Sequence, residues 1–318
     1  MSFSQDIKIE ILENLSTDKK CRQAFLSAIV KTGAEYDIFG GIKVYIKTQI
    51  KQLCDLIKQV CQDMFAVSSQ ITENAECIFN KSRYEIMLYG ENVKDMLYKL
   101  DVAYTNDDGC FDFYQDLHLQ NILSSDEVKE FTKGVFMACG SASGVDNSNK
   151  KSIDYHIEWV FTNHEKAQDF VDLLSKIQVV GRIVKRKKLY VVYLQKFEAI
   201  SDMLVLFDAQ ENMLKLNSEY AKRSVMNIAN RQSNCDTANM TKTIDNSLAQ
   251  IKAIELIKDT IGFERLDEDL VNVCMLRLAN VEESLQELAN LSGMSKSAIN
   301  YRFSKIMKIA KEIKEEQE

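Results

Sequence analysis

Between Ser295 and Lys311 the chain carries five Lys or Arg residues and no Asp or Glu, in a protein of 318 residues whose net charge is −7. Cations on one short segment can neutralise phosphate, and amide or ammonium groups at its start can bond base edges. Asn300 offers the paired donor and acceptor that fit adenine N6 and N7, and Lys296 a donor for guanine O6 or N7. Ser295, Ser297 and Tyr301 lie beside them, while Lys305 and Lys308, farther along, suit phosphate. Arg302, next to Phe303, suits phosphate or a partner inside its own domain. The plain alternative is a solvated lysine-bearing helix.

The flanking residues supply the elements that such a surface needs. Ser284 and Glu287 form a capping box that starts a helix, with Leu285, Leu288, Ala289 and Leu291 on one face. Gly293 provides a tight turn, and Ser295 caps a second helix. Ile299, Phe303, Ile306 and Ala310, at spacings of four, three and four, give that helix its buried side. Two short helices joined at a glycine, the second basic, make a helix-turn-helix and point to DNA. Upstream, Arg231, Asn234, Asn239, Lys242 and Thr243 form a polar, partly basic cluster. Arg231 and Lys242 suit phosphate, and Asn234–Asp236 reads as a turn. Lys185, Arg186, Lys187 and Lys188 occupy a predicted hairpin tip, a further candidate for backbone contact with DNA.

Other chemistry finds less support. Eight cysteines are scattered without a CxxC pair, and His118, His156 and His164 lie near none of them at ligand spacing, so neither a zinc site nor any other cofactor is expected. Cys54 and Cys61, seven apart, read as core. No apolar run approaches the roughly 18 residues that span a bilayer. The first residues, MSFSQDIKIEILENL, read as an acidic amphipathic helix, and the expected location is cytoplasmic, at the nucleoid. Proline is absent, so Gly, Asn, Asp and Ser must punctuate the loops.

An order of elements recurs in the first two thirds. A helix through CRQAFLSAIVKTG leads to a strand at Ile42–Thr48 and a helix at Lys51–Phe65. A hairpin of Cys77–Asn80 with Tyr84–Tyr89 and a helix at Val93–Leu100 complete the unit. The same order returns with EVKEFTKGVFMACG, the strand IDYHIEWVF and a helix at Glu165–Ile177. The hairpin GRIVKRKKLYVVYL and a helix at Phe197–Leu206 follow. This predicts tandem αβ repeats, about 19–105 and 126–207, in an α+β domain with pseudo-twofold symmetry, ahead of an all-α helix-turn-helix domain. Small residues recur on both leading helices, Ala24, Ala28 and Thr32 on one and Gly134 and Ala138 on the other. By spacing alone such a stripe fits close packing of the two helices on each other or packing beneath a sheet, and its recurrence at matching places in both halves favours the first.

That arrangement is similar to the LAGLIDADG homing-endonuclease fold. Set on the motif, Leu26–Ala34 reads LSAIVKTGA and Thr132–Gly140 reads TKGVFMACG. The resemblance implies a metal-binding acid at the eighth place of each, where this chain has Gly33 and Cys139. Neither is a ligand for Mg²⁺, a hard ion that takes oxygen, so no enzyme is expected. Glu35 and Asp146 are acids near the motif ends. Over nearly its whole length the chain resembles the WhiA family, which joins a degenerate LAGLIDADG-like domain to a helix-turn-helix. The resemblance is carried by CRQAFLSA, FTKGVFMACGSAS, YHIEW, YVVYLQKFEAISDML and above all NRQSNCDTANMTKT, Asn230–Thr243. The sequence departs from the family pattern at Lys31, Thr32 and Ala34, where Gly is more usual, and at Tyr301 and Phe303, where His and Leu are expected.

The resemblance implies a DNA-binding regulator of transcription, cell division and chromosome segregation, tied to sporulation in sporulating relatives, with RNA polymerase and its sigma factor as partners. The expected domains are 1–217, the LAGLIDADG-like repeats, and 222–318, the helix-turn-helix domain, with a linker around 209–222. Two other readings stand beside this one: an active endonuclease, and a scaffold whose repeat domain binds protein.

Overall fold

The computed structural model describes residues 2–73, 83–119, 124–144 and 155–317. Two compact units divide the chain, Met1–Ala221 and Lys222–Glu318. The first opens with α1 (Phe3–Glu13), started by a capping box between Ser2 and Gln5. α2 (Lys19–Gly33) is capped by Asp18, whose carboxylate accepts the Lys20 and Cys21 amides. Then come β1 (Ala34–Asp37), β2 (Lys43–Thr48), α3 (Lys51–Phe65), β3 (Ser68–Glu73), β4 (Tyr84–Tyr89) and α4 (Val93–Lys99). A small hairpin of β5 (Ala103–Thr105) and β6 (Phe111–Phe113) ends the first repeat.

The second repeat follows the same plan. α5 (Ser125–Cys139) starts on a capping box of Ser124 and Glu127. β7 (Gly140–Ser143), β8 (His156–Phe161), α6 (His164–Lys176), β9 (Arg182–Arg186), β10 (Leu189–Leu194) and α7 (Phe197–Leu206) complete it. The two four-stranded antiparallel sheets run β1-β2-β4-β3 and β7-β8-β10-β9, one order used twice. Alternation sets their faces: Val44 and Ile46 in β2, and Ile157, Trp159 and Phe161 in β8, are buried, while Lys43, Tyr45 and Lys47 take the other side. α3 packs on β3 and β4, and α6 on β9 and β10.

α2 and α5 pack directly on one another. A Cβ on Gly134 would collide with the Phe25 carbonyl oxygen and the Ala28 methyl, and one on Gly33 would lie 2.8 Å from the Ala138 Cβ. The small residues therefore serve helix–helix contact, the first of the two options their spacing left open.

The second unit is helical. α8 runs unbroken from Gln210 to Thr260, giving its residues up to Ala221 to the first unit. A 3-10 turn at Phe263–Arg265 leads to α9 (Glu268–Ala279), α10 (Leu285–Ser292) and α11 (Lys296–Gln317). Its core joins Ile254 and Ile257 of α8, Val273 and Cys274 of α9, Leu288 of α10, and Ile299, Phe303 and Ile306 of α11. Full burial of each such side chain contributes about 1.5–3 kcal/mol.

Several sequence expectations need correction. Tyr84–Tyr89 pairs with Ser68–Glu73 on one edge and with β2 on the other. Both edges of β4 are thus filled, and the expected hairpin segment Cys77–Asn80 lies outside the described residues. The expected linker at 209–222 is helical from Gln210, and the expected turn at Asn234–Asp236 lies inside α8. There Thr237 and Thr241 bond the carbonyls four residues back, Ser233 and Thr237, at 2.8 and 3.0 Å, which accommodates polar residues within the helix. Cys54 and Cys61 are buried as expected, whereas Cys110 and Cys235 are exposed.

Candidate nucleic-acid interface

The helix-turn-helix is built by local rules. The Glu287 amide donates to Ser284 Oγ at 3.3 Å and the Ser284 amide to Glu287 Oε2 at 2.7 Å. These bonds hold the Glu287 carboxyl below its ordinary value, while neighbouring Glu283 is pushed up by Glu287. Gly293 ends α10 at φ +67°, a left-handed backbone that favours glycine. Ser295 Oγ then accepts the Ala298 amide at 3.2 Å and caps α11.

Ile299, Phe303, Ile306 and Ala310 are buried, so the opposite side of α11 faces solvent. Lys296, Ser297, Asn300, Tyr301, Lys305 and Lys308 are all exposed, as is Ser295 before them. Ser297, Asn300, Tyr301 and Ser304 follow one stripe at spacings of three, one and three. Among the described residues, the side chains of Lys296 and Asn300 have no hydrogen bond or ion pair. The Lys305 ammonium lies 5.2 Å from the centroid of the Tyr301 ring, and Lys308 pairs with Glu312 at 3.7 Å. Arg302 pairs with Asp269 of α9 at 2.9 Å, the intradomain partner its position allowed.

A residue that the sequence did not single out holds this unit together. Arg277 of α9 is 1% exposed. It donates to Gln250 Oε1 at 3.0 Å and to the Asn280 and Glu283 carbonyls at 3.2 and 2.6 Å, and its guanidinium lies over the Phe303 ring at 5.4 Å. Burial lowers its pKa. Nothing in the local pattern distinguishes it from an ordinary surface arginine.

The remaining candidates lie elsewhere. Arg231 and Lys242 are exposed on α8, eleven residues apart. The hairpin tip divides its cations: Lys185 lies over the Tyr190 ring at 5.4 Å, and Arg186 pairs with Glu158 at 3.0 Å on the other side of the sheet. Lys187, at φ +58°, and Lys188 form the turn.

At the ends of α2 and α5, Gly33 and Cys139 stand in the expected places for acids. Burial pushes the Cys139 thiol up to about 12, against a smaller opposing effect from Lys8. Lysines reach both helix ends: Lys166 Nζ donates to the Lys31 carbonyl at 2.8 Å, and Lys8 Nζ to the Met137 carbonyl at 3.2 Å. Lys31 and Met137 hold the sixth place of LSAIVKTGA and TKGVFMAC respectively, so the two caps are equivalent. Burial lowers Lys8 to about 8, and lowers Lys166 as well. Glu35 is exposed and paired with Lys47 at 2.6 Å. Asp146 lies outside the described residues. Among the described residues, no group of three or more His, Cys, Asp and Glu side chains is placed to hold a metal ion, and no helix is long and apolar enough to cross a membrane.

Comparison with known proteins places both units. Residues 128–226 match the family model of the WhiA LAGLIDADG-like domain, and residues 229–310 that of the WhiA C-terminal HTH domain. The probable cell division protein WhiA of Clostridium acetobutylicum is 30% identical over 322 residues, 99% of each chain. That of Alkaliphilus oremlandii is 29% identical over 99% of this chain and 98% of the relative. The crystal structure of full-length DUF199/WhiA from Thermotoga maritima superposes with a TM-score of 0.57 at 20% identity, covering 98% of this chain and 99% of that one, and so shares its fold. With homology along its full length and both domains present in order, this chain belongs to the WhiA family.

Proposed function

We propose that the chain is a sequence-specific DNA-binding regulator of transcription, acting in cell division and chromosome segregation, with residues 222–318 as its DNA-binding domain and 1–217 as a repeat domain without nuclease chemistry. The observation that carries this is the open face of α11. Lys296, Ser297, Asn300 and Tyr301 sit exposed at its N-terminal end, where a recognition helix meets base edges. Lys305 and Lys308 lie one and two turns on, within reach of phosphate. Arg231 and Lys242 add cations from α8, with the 185–188 tip as a further backbone contact. Sequencing of genomic DNA cross-linked to the protein in cells tests this reading: a shared motif upstream of division genes supports it, and a random distribution overturns it.

The chemistry at the α2 and α5 ends favours a protein that binds without cutting. A glycine and an un-ionised thiol offer no oxygen ligand, and two ammonium groups stand beside them. Supercoiled plasmid incubated with the protein and Mg²⁺ or Mn²⁺ should remain uncut. Metal-dependent nicking that survives repurification and vanishes in the Glu35→Gln, Asp146→Asn variant would overturn this.

Charge favours a second role for the repeat domain. The 14 cations and 15 anions of residues 222–318 nearly cancel, leaving −6 of the net −7 on residues 1–221. An acidic surface repels DNA and suits a basic protein surface, and RNA polymerase with its sigma factor is the partner we assign to it. Co-purification with polymerase that is lost on deleting the repeats tests this.

A further inference from the structure

The longest stretch of exposed helix in the second unit is not part of the helix-turn-helix. Every residue of α8 from Ser224 to Lys242 is exposed. Nine of the twenty residues from Ser224 to Thr243 are Asn, Ser or Thr, which form helices poorly because their side chains compete for backbone hydrogen bonds. A helix exposed all round gains nothing from packing, so burial in this unit does not account for the segment.

Its side chains are ordered by face. Asn227, Arg231, Asn234, Ala238 and Lys242 recur at spacings of four, three, four and four, a single stripe about 22 Å long at 1.5 Å per residue. Among the described residues, the Asn227, Arg231, Asn234 and Lys242 side chains have no hydrogen bond or ion pair. The acid within the segment, Asp236, lies on the opposite side and is held by Gln232 at 3.0 Å. Asp245 bounds the stripe one turn beyond Lys242. The apolar side chains Met226, Met240 and Ile244 also face away from it, and Ile228 lies at its edge on the Cys235 side.

We propose that this stripe is a second DNA-reading element, resting on the proposed DNA-binding function and adding to the contacts of α11. Asn227 and Asn234 present amides that can bond adenine N6 and N7. Ala238 between the cations leaves room for close approach and can meet a thymine methyl. Arg231 and Lys242, about 16 Å apart along the axis, neutralise phosphates on either side. The occupant is duplex DNA, because the stripe combines cations with unpaired amides and carries no large apolar side chain.

The test uses the full chain and a duplex library with 40 randomised base pairs. Wild type should recover a motif of two blocks. Asn300→Ala should lose one block. Asn227→Ala with Asn234→Ala should keep that block, lose the other, and bind the wild-type site on the order of tenfold more weakly. Arg231→Gln with Lys242→Gln should reduce the log–log salt slope by roughly 1.8, two phosphates at about 0.9 each. Circular dichroism verifies that each variant is folded. Cys235, exposed beside the stripe, provides a readout without substitution there: bound DNA should slow its alkylation and leave exposed Cys110 unaffected. Unchanged motif and slope in the α8 variants, with Cys235 equally reactive with and without DNA, would overturn the proposal. Concentration-dependent protection of Cys235 without DNA would also overturn it, assigning the face to a second copy. If wild type recovers no motif at all, the DNA-binding function itself fails; if it recovers only the block that Asn300 reads, the α8 proposal alone fails.

Discussion

The Glu10 carboxylate of α1 accepts the backbone amides of Glu211 and Asn212 at 2.7 and 3.1 Å and the Asn212 side-chain amide at 2.6 Å. Two of the open amides at the start of α8 are thus satisfied by a residue some 200 positions earlier. The negative charge also lies at the positive end of the helix dipole. Nearby, the Asn14 side-chain amide donates to the Asp208 carbonyl at 3.0 Å, fixing the turn that precedes α8.

Glu10→Ala should therefore destabilise the first unit by about 1–2 kcal/mol, the usual range for loss of a good cap. Urea unfolding of the full chain, followed by the fluorescence of Trp159 in that unit, reads this directly. A midpoint equal to wild type would show that water caps the helix equally well.

Gly134→Ala should cost more. The added methyl would meet the Phe25 carbonyl oxygen and the Ala28 methyl where α2 and α5 touch, and overpacking of that kind costs about 1–3 kcal/mol. Thermal unfolding should show a lowered Tm. Ala28→Gly in the same chain should recover only part of the loss, because the carbonyl contact persists.

Asn300→Ala and Lys296→Ala should each weaken binding to the specific site by roughly 1–3 kcal/mol. Binding to random DNA should change less for Asn300→Ala, since a neutral side chain releases no counterion. Equal losses on specific and random duplexes would make Asn300 a structural residue of α11.

Lys8 gives a pH signature. Burial holds its folded-state pKa near 8, below the ordinary 10.5, so the unfolded chain binds the extra proton between those values and stability rises with pH across that window. Below pH 8 the charged ammonium costs stability, and that cost is relieved as pH approaches 10.5. Cys139, pushed up to about 12, acts in the opposite direction above its ordinary value of 9.0, so the comparison must be with a variant. The difference in stability between Lys8→Met and wild type should move in favour of wild type as pH rises from 8 to 10.5. Denaturant midpoints at pH 7, 9 and 10.5 measure it, and a difference independent of pH would remove Lys8 from the balance.

Sequence alone determined the elements whose signals are local. Ser284 with Glu287, Gly293 and Ser295 mark the ends of α10 and α11 by cap chemistry acting within four residues, and the spacing of Ile299, Phe303 and Ile306 marks the buried side of α11. The two leading helices, with their small residues, were legible for the same reason. β1 and β7 were not, because AEYD and GSAS are only four residues long and hold few strongly apolar side chains, so they become strands only by pairing with β2 and β8. Asn234–Asp236 was misread because the turn preference of Asn and Asp is a local tendency, which the continuous helix overrides. The tertiary structure alone decided the helix ends that depend on distant partners: Glu10 on α8, Lys8 on α5 and Lys166 on α2. A cap supplied across more than a hundred residues leaves no periodicity in the chain, since its geometry exists only once the elements that carry the two partners have packed together.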